Sequence, residues 1–249
     1  MERHWEPLGQ GLRVLVSPSH GFSTDTLLLA DFSMPKANAR CADLGSGCGV
    51  IPLLWCHRGR PGSVLALEVQ KDAVELMETS VRDNGMEGRI APVLGDIRDY
   101  KSLLPHQSLD LMASNPPYFA PGTGAVSRDP ERGLARHSQS FQLSDLAGAA
   151  FYSLRHGGRL CICLPSVRLA EAVCLFHDRG LEPKRLRLVQ QRPGKEPYLF
   201  LLECRKGGGA GLVVEETLVL TDGSGNYSLE MERIYGDYLE SNRKEPSNA

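Results

Sequence analysis

Short apolar runs alternate along the chain with longer stretches in which apolar and polar residues are mixed. Residues 41–44 (CADL), 63–69 (SVLALEV), 89–95 (RIAPVLG), 109–114 (LDLMAS) and 158–164 (GRLCICL) are bounded by glycine or polar residues, as strands buried on both faces of a parallel sheet should be. Between them, residues 49–58 carry Val50, Ile51, Leu53, Leu54 and Trp55. Pro52 fits a helix there because a first-turn proline has no helical hydrogen bond to lose. Residues 71–84 place Ala73, Val74, Leu76, Met77 and Val81 on one broad face, and 140–155 and 166–178 are the remaining helical stretches. Strand alternating with helix through five strands predicts a doubly wound α/β sheet with right-handed crossovers.

Past residue 180 the pattern changes. Residues 181–190 and 198–204 follow one another with only the QRPGKEP loop between them, which predicts a hairpin at one edge of the sheet. Lys206–Gly211 is glycine-rich punctuation, followed by one candidate strand at 216–220, a turn at Asp222–Gly225 and a polar tail after Tyr238. Ahead of Asp43 stand about 40 residues containing an apparent hairpin and one short helix. The organisation expected is one domain over 1–249, with an N-terminal extension at 1–40, a catalytic core at 41–205 and a C-terminal extension at 206–249.

Composition excludes several classes. With 41% hydrophobic and 23% charged residues among 249, the chain can bury a full core and is unlike a disordered segment. It has no apolar run long enough to cross a bilayer, and its first residues lack the apolar centre of a secretory signal. A cytoplasmic protein, monomeric or a weak homodimer, is expected. The seven cysteines, without a CxxC pair, are expected to be small buried hydrophobes, not metal ligands. A net charge of −2 gives no global pull toward nucleic acid, so an RNA partner would need a local basic patch.

The chemistry-bearing residues fall at the ends of the predicted strands. Asp43-Leu44-Gly45-Ser46-Gly47-Cys48-Gly49 follows the first strand and opens the first helix of the core. Alternate glycines let the backbone turn tightly and approach a ligand at the positive end of a helix. A purely structural turn and the dinucleotide fingerprint GxGxxG are the rival explanations. An acid-led GxGxG suits the amino-acid portion of S-adenosylmethionine better than a pyrophosphate. Glu68 ends the second strand, where a carboxylate can accept from two ribose hydroxyls, and Asp96 ends the third, in reach of an adenine amino group. Singly, each acid is an ordinary loop residue; three acids after three successive strands are a ligand-binding pattern.

Asn115-Pro116-Pro117-Tyr118 follows the fourth strand. The lone pair of an exocyclic amine on adenine is delocalised into the ring. The Asn115 side-chain carbonyl and the Pro116 backbone carbonyl can accept its two N–H hydrogens and draw the nitrogen toward tetrahedral geometry. Two prolines stiffen the turn, and Tyr118 offers a ring on which a flipped base can stack. The long polar insertion 119–138, with Arg128, Arg132, Arg136 and His137, is expected to be a mobile, phosphate-gripping lid, with a merely solvated loop as the alternative. A second basic cluster, Lys184, Arg185, Arg187, Arg192 and Lys195, is placed around the hairpin tip, where a solvated sheet edge is the plainer explanation.

Taken together these motifs resemble the bacterial tRNA1(Val) (adenine-N6)-methyltransferases, which modify the adenosine beside the anticodon of a valine tRNA. The resemblance runs from Gly21-Phe22-Ser23-Thr24-Asp25 and Leu27–Ala30 through Asp43–Gly49, Leu67-Glu68-Val69-Gln70, Gly95-Asp96-Ile97 and Asn115–Tyr118. It continues over Ala135-Arg136-His137 and the hairpin to Gly225–Ser228 and Ile234–Gly236. It implies a Rossmann-like class I methyltransferase fold, a seven-stranded mostly parallel sheet with its last strand reversed and helices on both faces. It further implies S-adenosylmethionine as methyl donor, S-adenosylhomocysteine as product and N6-adenine of RNA, in a tRNA near the anticodon, as acceptor. The cofactor residues implied are Thr24, Asp25, Asp43, Gly45, Ser46, Gly47, Cys48, Gly49, Glu68, Val69, Gln70, Asp96, Ile97 and Asn115. RNA contacts are expected from Arg128, Arg132, Arg136, His137, Arg192 and Lys195.

Other readings compete. Methylation of a protein glutamine amide uses the same Asn-Pro-Pro-Tyr turn, but such enzymes usually carry a larger helical domain ahead of the core than 40 residues allow. Guanine-N2 methylation of ribosomal RNA often has phenylalanine where Tyr118 stands. A non-enzymatic RNA-binding scaffold would tend to have lost the acidic ribose contact or the catalytic turn, and both are present here.

Overall fold

The computed structural model describes residues 2–116, 142–236 and Tyr238. In chain order its elements are β1 (His4–Gly9), β2 (Leu12–Val16), α1 (Thr24–Phe32), β3 (Arg40–Leu44), α2 (Val50–Leu54), β4 (Ser63–Glu68), α3 (Lys71–Asp83), β5 (Ile90–Leu94), α4 (Tyr100–Leu103) and β6 (Leu109–Ser114). After the undescribed segment come α5 (Leu143–Ser153), β7 (Leu154–Pro165), α6 (Leu169–Asp178), β8 (Leu181–Gln190), β9 (Leu199–Lys206), β10 (Val213–Val214), β11 (Leu218–Val219) and α7 (Leu229–Tyr235). β1 and β2 form a separate hairpin; the main sheet runs β10-β8-β9-β7-β6-β3-β4-β5, with β11 also paired to β8.

All pairings among β3 to β7 are parallel, and β9 is antiparallel to both β7 and β8. The expected reversed last strand is therefore β9, inserted between β7 and β8. Because β8 points the same way as β7, the tip of the β8–β9 hairpin lies at the carboxyl edge of the sheet. The hairpin is not at the sheet's edge as expected: β10 and β11 pair in parallel with the outer side of β8. β11 falls within the candidate strand at 216–220, whereas β10 was not expected; both are only two residues long and fill backbone groups that β8 offers.

Residues alternate between the two faces. Cys41, Val64, Ala66, Leu111, Ala113, Cys161 and Cys163 join the core under α1, α2, α3, the β1–β2 hairpin and α7. Ala42, Leu44, Leu67, Met112, Leu160 and Ile162 join the opposite core with α5 and α6. Every cysteine but Cys174 is buried, and burial pushes the Cys41 and Cys161 thiols up to about 12, leaving them un-ionised at neutral pH.

The helix expected at 49–58 breaks into α2 and a π-helical turn, Trp55–Gly59, which Arg60 closes at φ 52°. Part of the basic cluster placed at the hairpin tip is consumed internally. Arg185 pairs with Glu203 and Glu215, Arg187 forks onto Glu230, and Lys184 donates to the Gly209 carbonyl. Glu203 is 3% exposed and also takes Arg159 at 3.0 Å, so two guanidinium groups offset the cost of burying one carboxylate. Lys206 donates to the Phe151 and Leu154 carbonyls, capping α5 with a cation at its negative end.

Candidate active site

Four neighbouring strands end at one level, tied by bonds outside the sheet ladder. Ser114 Oγ donates to the Leu44 carbonyl (2.8 Å). Gly45 and Ser46 N–H donate to Leu67 O (2.9 and 3.0 Å), and Gly95 N–H to Glu68 O (3.0 Å). β6, β3, β4 and β5 thus present Asn115, Asp43, Glu68 and Asp96 along the carboxyl edge, where open α/β sheets bind ligands.

The glycine turn fits between them. Gly45, Gly47 and Gly49 have φ of 72°, 56° and 91°, which side-chain-bearing residues rarely adopt. At Gly49 a Cβ would also come within 2.7 Å of Met77 Cγ, so a larger residue would push the turn off α3. Glu68, 5% exposed, accepts from Gly47 N–H and Gln70 N–H, both at 2.9 Å, one on each oxygen. A carboxylate has about four acceptor positions, so the same group can hold the turn and still receive two ribose hydroxyls. Asp43 is buried and accepts from Ser46 Oγ at 2.6 Å, while its Oδ1 has no hydrogen-bond partner among the described residues. Burial, with Glu68 adding repulsion, pushes the Asp43 carboxyl up to about 7 against the Ser46 bond.

A cleft of about 370 Å³ gathers these groups: Asp43, Gly45, Ser46, Gly47, Cys48, Val50, Ile51 and Asn115 on the core side, Gly21, Phe22, Ser23 and Thr26 on the other. A larger depression of about 520 Å³ lies at the opposite, amino edge among Arg40, Ser63, Arg89 and Leu104, away from this constellation. Asn115 is half-buried, and its Nδ2 donates to Thr26 Oγ1 at 3.2 Å.

Some expected site residues point elsewhere. The Thr24 hydroxyl lies 2.8 Å from that of Tyr235, and Asp25 faces the Tyr198 phenol, whose proton its charge helps retain; the cleft takes their neighbours Ser23 and Thr26 instead. Val69 is exposed beside Glu68, and the Gln70 carboxamide meets His20 at 3.2 Å. Ile97 is packed in the second core. Asp96 caps the short helix after β5 and is gripped by the Arg98 guanidinium, whose bond holds its carboxyl below the usual range. Arg192 and Lys195 are exposed at the hairpin tip, with Glu196 beside them. Pro117, Tyr118, the 119–138 insertion and its Arg128, Arg132, Arg136 and His137 lie outside the described residues.

The sequence reading passed over Gly21, Phe22, Ser23, Thr26, Val50 and Ile51. Val50 and Ile51 open the helix that the glycine turn leads into, a position that could have flagged them. Gly21, Phe22 and Ser23 stood in the motif that carries the resemblance but were given no role there, and for Thr26 the signal was adjacency to Thr24 and Asp25.

The Methyltransferase small domain family matches residues 22–129, a span from Phe22 past Asn115. A tRNA1(Val) (adenine(37)-N6)-methyltransferase of Aeromonas salmonicida is 32% identical over 82% of this chain and 84% of its own length. One of the same name from Porphyromonas gingivalis is 32% identical over 85% of each. The chain belongs to the tRNA1(Val) (adenine(37)-N6)-methyltransferase family. Among solved structures, a predicted O-methyltransferase from Agrobacterium tumefaciens superposes with TM-score 0.68 over 86% of this chain and 97% of its own, at 20% identity. That likeness establishes the class I methyltransferase fold.

The site fits the donor expected of such a fold. The unpartnered Asp43 oxygen suits an ammonium group, the turn at Gly47 leaves open space where a side chain would stand, and Glu68 retains acceptor capacity for a ribose.

Proposed function

We propose that this chain transfers a methyl group from S-adenosylmethionine to the N6 amine of an adenosine in tRNA, at position 37 for which its relatives are named. The observation carrying this reading is the shared cleft: the Asn115 side chain, the first acceptor of the Asn-Pro-Pro-Tyr turn, borders the same cavity as Asp43 and the glycine turn. Asp43, the Gly45–Gly49 backbone and Glu68 would hold the cofactor, with Asp96 at its adenine end once Arg98 swings outward. When bound, S-adenosylmethionine supplies a methyl group already activated by its sulfonium.

The protein's part is positioning. Asn115 Oδ1 and the Pro116 carbonyl accept the two amine hydrogens, restoring a lone pair on nitrogen and aiming it into the cleft. Pro116 is buried behind Asn115, which keeps the turn from yielding as the base enters. Tyr118 would stack the base, and Arg128, Arg132, Arg136, His137, Arg192 and Lys195 would contact phosphates, supplying local positive charge in a chain with net charge −2. We place the reaction in the cytoplasm. No helix among the described residues is long and apolar enough to cross a membrane.

Replacing Asn115 with alanine tests this reading. Methylated nucleosides from tRNA incubated with the variant should fall to background while cofactor affinity stays near normal; unchanged N6-methyladenosine would refute the role. Label appearing in N2-methylguanosine, or in protein, would transfer the assignment to one of the competing substrates.

A further inference from the structure

Three successive residues in the first turn of α1 each reach a different part of the molecule. Thr24 meets Tyr235 of α7, Asp25 meets Tyr198 at the start of β9, and Thr26 Oγ1 accepts the Nδ2 hydrogen of Asn115 at 3.2 Å, 89 positions along the chain. The first two contacts fix the turn from outside; the third directs it at the catalytic loop.

The amide of Asn115 has an accepting end and a donating end, and only one orientation serves the chemistry. An exocyclic amine brings two hydrogens, so it needs the carbonyl oxygen; with the amide flipped, N–H would face N–H and the amine nitrogen would not be drawn toward tetrahedral geometry. We propose that Thr26 is a positioning residue which, by bonding the Asn115 Nδ2, anchors the carboxamide beside the cleft with Oδ1 toward the substrate amine. This rests on the role proposed above for Asn115. Thr26 is half-buried in the wall of the cofactor cleft. Thr26 N–H donates to the Ser23 carbonyl at 3.1 Å, so the backbone that carries the hydroxyl is held by the first turn of α1.

The test uses the full chain with tRNA transcript, measuring single-turnover methylation, RNA KM and cofactor Kd for Thr26→Val, Thr26→Ser and Asn115→Ala side by side. Thr26→Val should slow the chemical step by about 10- to 100-fold, the scale of a small misplacement of a reacting group, with RNA KM and cofactor Kd within about twofold. Thr26→Ser, which keeps the hydroxyl, should recover most of the rate. Wild-type turnover in Thr26→Val alongside an inactive Asn115→Ala would overturn the proposal and leave the Asn115 role standing. A Thr26→Ser enzyme as slow as Thr26→Val would show that the hydroxyl does not by itself sustain the rate, and weakened cofactor binding at normal rate would make Thr26 a cofactor contact; either result overturns it too. Full activity in Asn115→Ala would remove the reading on which it stands. The unchanged cofactor Kd establishes that each variant is folded.

Discussion

The hydroxyl of Thr24, the first residue of α1, lies 2.8 Å from the hydroxyl of Tyr235, the last residue of α7. Through this bond a C-terminal helix reaches the wall of the cofactor cleft. Tyr235 also packs edge-on against Tyr227 (5.0 Å, 79°) and beside Tyr238 (5.6 Å), whose ring meets Phe22 at 6.0 Å. Phe22 lines the cleft, so the aromatic chain ends where the ligand begins. Burial pushes the Tyr235 phenol up to about 12, so it stays protonated and able to donate.

Tyr235→Phe keeps the ring and removes the bond. One hydrogen bond contributes about 0.5–1.5 kcal/mol, so cofactor affinity should weaken about two- to tenfold if the bond holds the Gly21–Thr26 wall in its binding geometry. Isothermal titration would measure it, and an unchanged Kd would show that the wall stands without this tie.

Glu68 is asked to hold the glycine turn and a ribose at once. In Glu68→Gln the amide can accept at one oxygen only, and its NH2 meets one of the two backbone N–H donors, Gly47 or Gln70. Losing a charge-assisted bond costs about 1.5–3 kcal/mol, so cofactor Kd should rise roughly 10- to 100-fold. Fluorescence or calorimetric titration checks this; a shift below threefold would argue against a ribose contact.

Asp43 gives a pH dependence of defined sign. Its carboxyl ionises near 3.8 in an unstructured chain and near 7 in the fold. Between those pH values the folded protein holds a proton that the unfolded chain has lost, so stability declines as pH rises through the window. Asp43→Asn retains an acceptor for Ser46 and should flatten that slope in urea unfolding at pH 5 and pH 8. A cationic ligand prefers the ionised carboxylate, so cofactor affinity in the native protein should strengthen from pH 6 to pH 8. Equal affinities across that range would mean that the ligand does not meet Asp43.

Glu203 lies between Arg159 and Arg185, at 3.0 and 2.9 Å, under the β7–β9–β8 sheet. Glu203→Ala would leave two guanidinium groups without their shared partner, a change expected to cost about 3–5 kcal/mol. At about 2–4 °C per kcal/mol for a chain this size, the thermal midpoint should drop by roughly 10 °C. Calorimetry reads it directly, and a fall under 2 °C would mean that Glu215 alone satisfies Arg185.

Local sequence determined the core strands and where their ends fall. Strands buried on both faces are largely apolar and give way to acid, glycine or asparagine near their carboxyl ends, which is why Asp43, Glu68 and Asn115 could be placed there before any contact was known. It also determined the reversed strand, since the short loop between β8 and β9, residues 191–198, cannot make a parallel crossover. Tertiary structure alone decided which polar groups meet. Arg187 finds Glu230 43 positions away, Thr26 finds Asn115 89 away and Thr24 finds Tyr235 211 away, partners brought together by the crossing of elements and carrying no periodicity of their own. The same holds for β10, and for the place of β11 beside β8, since its segment could be read as a strand but its partner could not. Burial leaves a pattern along the chain because each residue's environment repeats with its own element; hydrogen-bond partnership belongs to pairs, and only the fold brings pairs together.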